Sequence, residues 1–376
     1  MRDHLRYYWN TIVVLVAIYG YILGGQWVWL GSVGVIGFLL LADLLFGKDE
    51  KIRKVKYPWI PNMVLYLHVP LMFVLYAAYC WRIMQGFNEP NIYMTVLAYA
   101  GSIITATFMG AAPNVPISHE LYHQRSRIGK FLGFTGSVFW GDPMRLIPHN
   151  YGHHSHVGIW YKDSDTAYRG ESVYTFVFRA TRMSLSEAFR LEKAFQNKKD
   201  RSFFSLASRW LRSILLLALL VGGFYYFAGW IGAALCASSL ALAKLLVEVF
   251  NYTQHYGLIR VEGKPIQPHH SWEHRHTFSR IVGLEIVTHN EHHQDAYVPY
   301  YALKPSQIDN RMPSIIICFL LAFFPPLWHR FAMPKLKKMD LNYATPEELM
   351  LARKANLKAG WPNWFDETSQ KRANVY

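Results

Sequence analysis

The residues of this chain with the clearest chemical potential are histidines, which form four clusters. They lie in the segments SHELYH (118–123), HNYGHHSH (149–156), NYTQHYGL (251–258) and THNEHH (288–293). Spacings of three and four residues recur, and such spacings place side chains on one face of a helix. The nine candidate ligands in these clusters are His119, His123, His149, His153, His154, His255, His289, His292 and His293.

This set of residues indicates a metal centre. Imidazole is the commonest metal ligand in proteins and suits iron, copper and zinc. One first-row ion takes about four to six ligands, so nine imidazoles are too many for one ion and suit two. The three cysteines, Cys80, Cys236 and Cys318, each lie in an apolar run outside any CxxC pair. We therefore expect no disulfide, zinc ribbon or cysteine-ligated iron–sulfur cluster.

The composition indicates a protein embedded in a membrane. The 376 residues are 52% hydrophobic and 17% charged, which is less charge than soluble domains carry. The net charge of +14 fits a basic face against anionic lipid or an acidic partner. No basic patch stands apart from the apolar segments, so we expect no nucleic-acid binding.

The elements that must position the histidines are apolar helices. About 20 apolar residues let a helix cross a bilayer, and short turns after the first and fifth runs predict two helical hairpins. The run at 312–324 is shorter and precedes two prolines, so we expect an interfacial or re-entrant helix there. The six predicted spans are approximately 8–24, 26–46, 63–82, 92–112, 210–228 and 230–250.

Lysine and arginine placement predicts the orientation. The connection 47–62 and the segments 113–209 and 251–376 are basic, whereas the turns near 25, 85–91 and 229 carry almost no basic residues. The positive-inside rule then places the basic segments and both termini in the cytoplasm. We expect one domain, 1–376, in the cytoplasmic membrane. Its fold class would be an all-α integral membrane protein with six transmembrane helices and a cytoplasmic helical cap carrying the histidine-rich site.

Local signals predict several helix ends. Pro148 marks the expected start of a helix whose first turn contains His149. Gly257 is placed to end the sixth span just after His255, where the helix dipole favours a cation. Near the C-terminus, Thr345 is the expected N-cap of a helix that Gly360 ends.

The order of these motifs resembles that of the membrane di-iron hydroxylase and desaturase superfamily. The segment NYTQHYGL is similar to a signature of bacterial alkane hydroxylases. A closer resemblance, over nearly the whole chain, is to the xylene monooxygenase hydroxylase family, with p-cymene monooxygenases also similar. It includes the stretches GGQWVWLG, SHELYH, GDPMR, DSDTAYRG, EVFNYTQHYGL, MPSIIICFLL and KAGWPNWF.

This resemblance implies a membrane-bound non-haem di-iron monooxygenase. The implied reaction is O2-dependent hydroxylation of a methyl group on an aromatic ring, as in toluene, xylene or p-cymene, with two iron ions held by the nine histidines. The chain departs from the alkane enzymes at Gln124, where they usually have lysine, and at Gln254, where they usually have glutamate. Both departures disfavour linear alkanes as substrates.

The remaining polar residues receive secondary roles. We expect Glu248, seven residues before His255, to be a carboxylate near the iron or behind a ligand; the alternative is an ion pair with Lys244. Carboxylates that could orient ligands are Glu120, Asp142, Asp163, Asp165, Glu285, Glu291 and Asp295. We interpret His156, His269, His270, His274 and His276 as solvated or supporting residues, and His4, His68 and His329 as interfacial ones.

A hydrophobic substrate requires a dry pocket, which we expect among the third, fourth and sixth spans, lined by aromatic and methionine residues. Three alternatives stay open: a linear alkane 1-monooxygenase, a fatty-acyl desaturase or hydroxylase, and a metal transporter. The last would need a polar conduit through the spans, where only Asp43, Lys244 and Glu248 are charged.

The electrons must come from a partner. No GxGxxG opens a helix after a strand, as a flavin or nicotinamide site would require. We therefore expect a separate reductase, and the resemblance implies one that combines flavin with an iron–sulfur cluster and draws on NADH. Candidate docking residues are Lys198, Lys199, Arg201, Lys335, Lys337 and Lys338.

Overall fold

A computed structural model of the chain describes residues 1–87 and 89–365, and the fold is largely helical. Two short strands, β1 (Glu273–His274) and β2 (Arg311–Met312), pair in parallel, so the expected all-α class is modified by a minimal sheet. The helices are α1 (Arg2–Leu5), α2 (Trp9–Leu23), α3 (Val33–Phe46), α4 (Trp59–Gln85), α5 (Ile92–Ala111), α6 (Asn114–His123), α7 (Arg127–Gly136), α8 (Leu146–Pro148), α9 (His154–His156), α10 (Val173–Lys198), α11 (Arg209–His255), α12 (Thr277–Val282), α13 (His289–Gln294), α14 (Ile315–Ala322), α15 (Pro325–Tyr343) and α16 (Pro346–Ala359).

Tighter and wider helical turns connect several of these elements. A π-helical segment, His149–His153, joins α8 to α9. The 3₁₀ segments are Arg6–Tyr8, Gly25–Gly31, Ser137–Trp140, Pro268–His270 and Tyr300–Ala302.

Among the described residues, four helical segments are long and apolar enough to cross a membrane: Gly25–Phe46, Trp59–Gln85, Ile92–His123 and Arg209–His255. The first predicted span corresponds to α2, which has 15 residues and is therefore only about 23 Å long at 1.5 Å per residue. The predicted fifth and sixth spans both lie within α11.

α11 is a helical hairpin. Its 47 residues would be about 70 Å long as one straight helix, more than twice the roughly 30 Å of a bilayer core. The chain breaks at Gly229, whose φ is 65°, a value that favours glycine. A Cβ built at Gly232 would lie 2.9 Å from the Phe224 carbonyl oxygen. Residues eight apart in a straight helix are about 12 Å apart, so the two halves fold back on each other.

The apolar run 312–324 does not form a span. Its helix, α14, has eight residues and is about 12 Å long, and α15 begins immediately after it at Pro325. Further on, Thr345 and Glu348 form the expected capping box of α16, and Gly360 adopts a left-handed conformation at its end. Both local predictions for α16 are confirmed.

A buried carboxylate ties the first hairpin to the segments behind the histidines. Asp43 of α3 accepts hydrogen bonds from the backbone N–H groups of Phe278 and Ser279 at 2.7 and 3.1 Å. It also accepts one from the Ser314 hydroxyl at 2.7 Å. These bonds satisfy N–H groups at the start of α12 and fix α12 and α14 against α3.

Candidate metal centre

The first histidine pair lies at the end of a transmembrane-length helical segment. His119 and His123 are both on α6, with ring centroids 4.8 Å apart, as their spacing of four residues predicts. α6 ends at Gln124, which has an extended backbone, and the Gln124 side chain accepts a hydrogen bond from the Tyr66 hydroxyl at 3.0 Å. The side chain at this departure from the alkane-enzyme pattern therefore points towards α4.

The second cluster differs from its prediction in one informative way. The helical stretch begins at Leu146, and Pro148 lies inside it rather than opening it. From His149 to His153 the backbone is π-helical, with the N–H of His154 donating to the carbonyl of His149. A π turn aligns residues five apart, so His149 and His154 converge, with their Nε2 atoms 3.1 Å apart. Such π segments are frequent at functional sites.

The last two clusters meet between the end of α11 and the short helix α13. His255 is the final residue of α11, and Gly257 follows with a positive φ of 70°, as expected. His289 opens α13, and its Nε2 atom lies 3.0 Å from that of His255. These contacts join segments more than 30 residues apart in the sequence.

The nine histidines assemble into two adjacent groups that could each hold an ion. In each group, all ligand atoms lie within 4.8 Å of one another. The five-histidine group contains His119, His123, His149, His154 and His292. The four-histidine group contains His153, His255, His289 and His293.

The donor atoms fit metal ions. The Nε2 atoms of His123 and His292, and both ring nitrogens of His293, are buried without a hydrogen-bond partner, which is costly unless a ligand satisfies them. Burial, reinforced by neighbouring imidazoles, lowers the pKa values of His149, His289, His292 and His293. These rings are therefore neutral at physiological pH, which is the state that binds metals.

Two aspartates support the four-histidine group. Asp163 Oδ1 lies 2.8 Å from His153 Nδ1, and Asp165 Oδ2 lies 3.7 Å from the same atom. Burial opposes a charged ring, but the two carboxylates outweigh it and raise the pKa of His153. A carboxylate on Nδ1 fixes the tautomer that presents Nε2 to a metal.

Glu248 is fully buried but belongs to neither histidine group. Its carboxylate accepts hydrogen bonds from Lys244 at 2.5 Å, from Asn251 at 2.8 Å and from Arg145 at 3.1 Å. The ion pair with Lys244, the alternative given above, is therefore present, and Glu248 does not adjoin the histidines. Arg145 also donates to Asp165 at 2.6 Å, so Glu248 connects to His153 through two intervening side chains.

Arg145 is the residue that sequence reasoning missed. It is buried and borders both the ionic network and the cavity described below. Its position four residues before His149, on the same helical stretch, was the available signal. A buried cation in an apolar region requires anionic partners, and Asp165 and Glu248 supply them.

The other candidate carboxylates have separate partners. Asp142 pairs with Lys244 at 2.6 Å, and Glu285 accepts from the Tyr7 hydroxyl at 2.9 Å. Asp295 accepts from the backbone N–H of Tyr297 at 2.9 Å. Glu120 borders a polar pocket beside His123, and Glu291 accepts from the backbone N–H of Lys304.

The remaining histidines lie outside both groups, but several are more buried than expected. His68, interpreted as interfacial, is 0% exposed. His274 is also 0% exposed, and its Nδ1 atom contacts the Pro313 carbonyl oxygen at 2.8 Å. His269 and His270 both contact the Glu348 carboxylate, at 3.0 and 2.8 Å.

The other four remaining histidines are near the surface or bound to backbone groups. His4 accepts from the Tyr57 N–H at 3.1 Å, His156 contacts the Gly152 carbonyl at 2.9 Å, and His329 contacts the Glu171 carbonyl at 3.2 Å. His276 precedes α12 as its N-cap.

An apolar cavity lies against the histidines. It touches His119, His149, His153 and His289, so it borders both groups. Among the described residues, no methionine and no residue of the third predicted span lines it, so the expected lining was wrong in those respects. The apolar wall includes Leu39, Ala112, Val247, Phe250, Phe278 and Ile315, which brings α3, α12 and α14 into the site.

The fold and the site together define a helical membrane metalloprotein. The fatty acid desaturase family model matches residues 94–313, a range that contains all nine histidines. The chain is 38% identical to the xylene/toluene monooxygenase hydroxylase component of Pseudomonas putida, over 99% of this chain and 100% of that protein. It is 29% identical to alkane 1-monooxygenase 1 of Pseudomonas aeruginosa over 86% of each chain, and 26% identical to alkane 1-monooxygenase 2 of Alcanivorax borkumensis over 88% and 89%.

These matches confirm the resemblance drawn from the motifs. The chain belongs to the family of membrane di-iron monooxygenases that contains the xylene/toluene and alkane enzymes, within the wider fatty acid desaturase family. It is accordingly an oxidoreductase.

Proposed function

We propose that the chain hydroxylates the methyl group of alkyl aromatics, of the toluene, xylene or p-cymene type, to a benzylic alcohol. The observation that carries this proposal is the contact of both histidine groups with one apolar cavity. The substrate class is supported by the full-length similarity to a xylene/toluene monooxygenase component.

The nine histidines would hold two iron ions, five ligands to one and four to the other. The bound ferrous ions would supply the oxygen activation and C–H oxidation, which no side chain of the chain can perform. In balanced form, a methyl group, O2, two electrons and two protons yield the alcohol and water.

The protein's own residues orient and isolate this chemistry. Asp163 holds His153 through Nδ1, so that Nε2 is free to bind a metal. Arg145 holds Asp165 beside it. The cavity wall, including Val247 and Phe250, excludes water from the C–H bond and binds the ring by apolar contact. A substrate that partitions into lipid can enter from the bilayer.

A linear alkane is the second candidate substrate, favoured by the matches to alkane 1-monooxygenases. Gln124 and Gln254 stand where those enzymes usually carry lysine and glutamate, and Gln254 borders the cavity. An uncharged amide at the cavity changes the local electrostatics from that of a carboxylate. Acyl-chain desaturation or hydroxylation is a third candidate, suggested by the family model.

The two electrons would come from NADH through a separate reductase that carries flavin and an iron–sulfur cluster. The three cysteines of the chain are buried and unpaired, which supports a partner as the source. A relative named as a hydroxylase component supports the same division of labour.

The proposed membrane arrangement has six spans in one domain, with both termini and the histidine segments 113–209 and 251–376 in the cytoplasm. The hairpin form of α11 and the paired α2 and α3 support this count. The basic character of the segments between the apolar helices supports the orientation and a location in the cytoplasmic membrane.

Product analysis tests the proposed function. The purified chain in native-like lipid, supplied with NADH, O2 and a reductase of the class above, should convert toluene, p-xylene and p-cymene to benzylic alcohols faster than octane to octanol. Faster octane hydroxylation would favour the alkane alternative. Desaturated acyl lipid as the main product would favour the third candidate.

A further inference from the structure

Only two of the nine candidate ligands reach the protein surface. His123 and His154 are partly exposed, whereas the other seven are buried. Both belong to the five-histidine group, and their ring centroids are 4.9 Å apart. Because electron transfer slows steeply with distance, this exposed edge is the shortest route for an electron from a soluble donor into the site.

The surface around this edge has the composition of a protein-binding site. Tyr151 and Tyr297 are 62% and 65% exposed, and the Arg125 guanidinium carbon lies 5.1 Å from the Tyr297 ring centroid. Tyrosine and arginine are enriched in protein interfaces and their energetic centres. We call Tyr151, His154, His123, Arg125 and Tyr297 the donor rim.

The donor rim is separate from the substrate cavity. A polar pocket beside it is lined by Glu120, His123, Arg125 and Tyr297. The apolar cavity instead touches His119, His149, His153 and His289, and neither exposed histidine lines it. The site therefore has a wet face on the five-histidine group and a dry face that reaches both groups.

We propose that the donor rim is the docking surface for the electron-donating iron–sulfur protein, and that electrons enter through the five-histidine group. This inference rests on the proposed function. Each docking event passes one electron from the reduced cluster of the donor to the metal centre, and two such transfers, supplied by oxidation of one NADH, complete a turnover.

Charge identifies the kind of donor surface that fits. Arg125, Arg127 and Lys130 follow the first histidine pair within seven residues and are exposed, and Asp295 lies on the opposite side of Tyr297 in sequence. The surplus is positive, and the whole chain carries +14. The matching donor presents carboxylates around its cluster, and weak redox complexes are small and steered by such charges.

The test uses the full chain in lipid nanodiscs and an NADH-dependent reductase carrying flavin and a plant-type [2Fe–2S] cluster. We compare Arg125→Glu and Tyr297→Ala with Lys199→Glu, an exposed control at the end of α10 with the same change in charge. The measurements are the Kd of the reductase for each variant, its salt dependence, and the rate of metal reduction by the reductase and by dithionite.

The proposal predicts that Arg125→Glu raises the Kd about tenfold and reduces its salt dependence, as expected for reversal of a steering charge. Tyr297→Ala should raise the Kd with the salt dependence retained. Reduction by dithionite should be unchanged in both variants, and Lys199→Glu should match the wild type.

An equal loss of binding in Lys199→Glu and Arg125→Glu, or wild-type binding in Arg125→Glu, would overturn the docking site. These outcomes leave the proposed function intact if the wild type still forms benzylic alcohol. Absence of any product from the wild type with the reductase bound would instead count against the proposed function.

Discussion

Asp163 Oδ1 lies 2.8 Å from His153 Nδ1, and in the part of the chain that the structure describes no other histidine of the nine has a carboxylate partner. The Thr166 hydroxyl and the Asp165 backbone N–H, at 2.6 and 3.0 Å, hold Asp163 in place. Burial would raise the pKa of Asp163, but the His153 ring and these hydrogen bonds lower it, so the carboxylate is charged. The two proposed metal positions are therefore inequivalent.

Asp163→Asn should weaken metal retention. The amide keeps the shape but removes the charge behind His153, and loss of such a partner typically costs about 10- to 100-fold in metal affinity. We expect the four-histidine position to lose iron first during a timed challenge with a chelator. Asp295→Asn, at an exposed carboxylate, is the control; equal iron loss in both variants would refute the supporting role of Asp163.

His154→Ala and His156→Ala form a matched pair on one short helix. His154 belongs to the five-histidine group, whereas His156 contacts a backbone carbonyl, and both are partly exposed. The first change should abolish turnover and lower the iron content, and the second should preserve most of both. Similar iron content and turnover in the two variants would show that the division of the histidines is wrong.

His255→Ala should also abolish turnover, because it removes a ligand at the end of α11. We do not use His274→Ala as its control, because His274 is 0% exposed and its removal would leave a buried void. The sequence placed His274 correctly outside the ligand clusters but gave no information on its burial, which depends on the pairing of β1 with β2.

Other parts of the site show the same division between local and long-range information. The capping box at Thr345 and the end of α11 near Gly257 follow from residues a few positions apart, and sequence patterns specify them well. The π turn at His149–His153 could not be predicted, because it is set by packing that brings His149 and His154 together. The cavity wall from α12 and α14 likewise depends on the contact between Asp43 and Ser279, which are 236 residues apart.

Val247→Trp should narrow the substrate cavity. Val247 is buried and lines the cavity, while Leu242 on the same helix is exposed. Loss of space comparable to a methylene group changes discrimination about 10- to 200-fold, so kcat/KM should fall further for p-cymene than for toluene. Leu242→Trp should leave that ratio unchanged. An unaltered ratio in Val247→Trp, with iron content and unfolding temperature as folding checks, would rule out this cavity as the substrate site.

Cysteine labelling tests the proposed orientation. Lys162→Cys lies in the segment 113–209, and Gln85→Cys lies at the end of α4 beside the turn 85–91, in which Asn88 falls outside the described residues. Native Cys80, Cys236 and Cys318 are buried and should remain unlabelled. An impermeant maleimide applied to intact cells should label Gln85→Cys alone, and labelling of both variants or of Lys162→Cys alone would contradict the six-span arrangement.

The iron content of the active protein tests the central claim, a two-iron centre held by nine histidines. The chain should be purified in native-like lipid, and its iron and zinc measured per chain alongside specific activity and Mössbauer spectra. We predict two irons per chain at full activity, because five and four imidazoles each suit one ion, and two distinguishable iron environments. Full activity with a single iron, or with stoichiometric zinc in place of iron, would contradict the account.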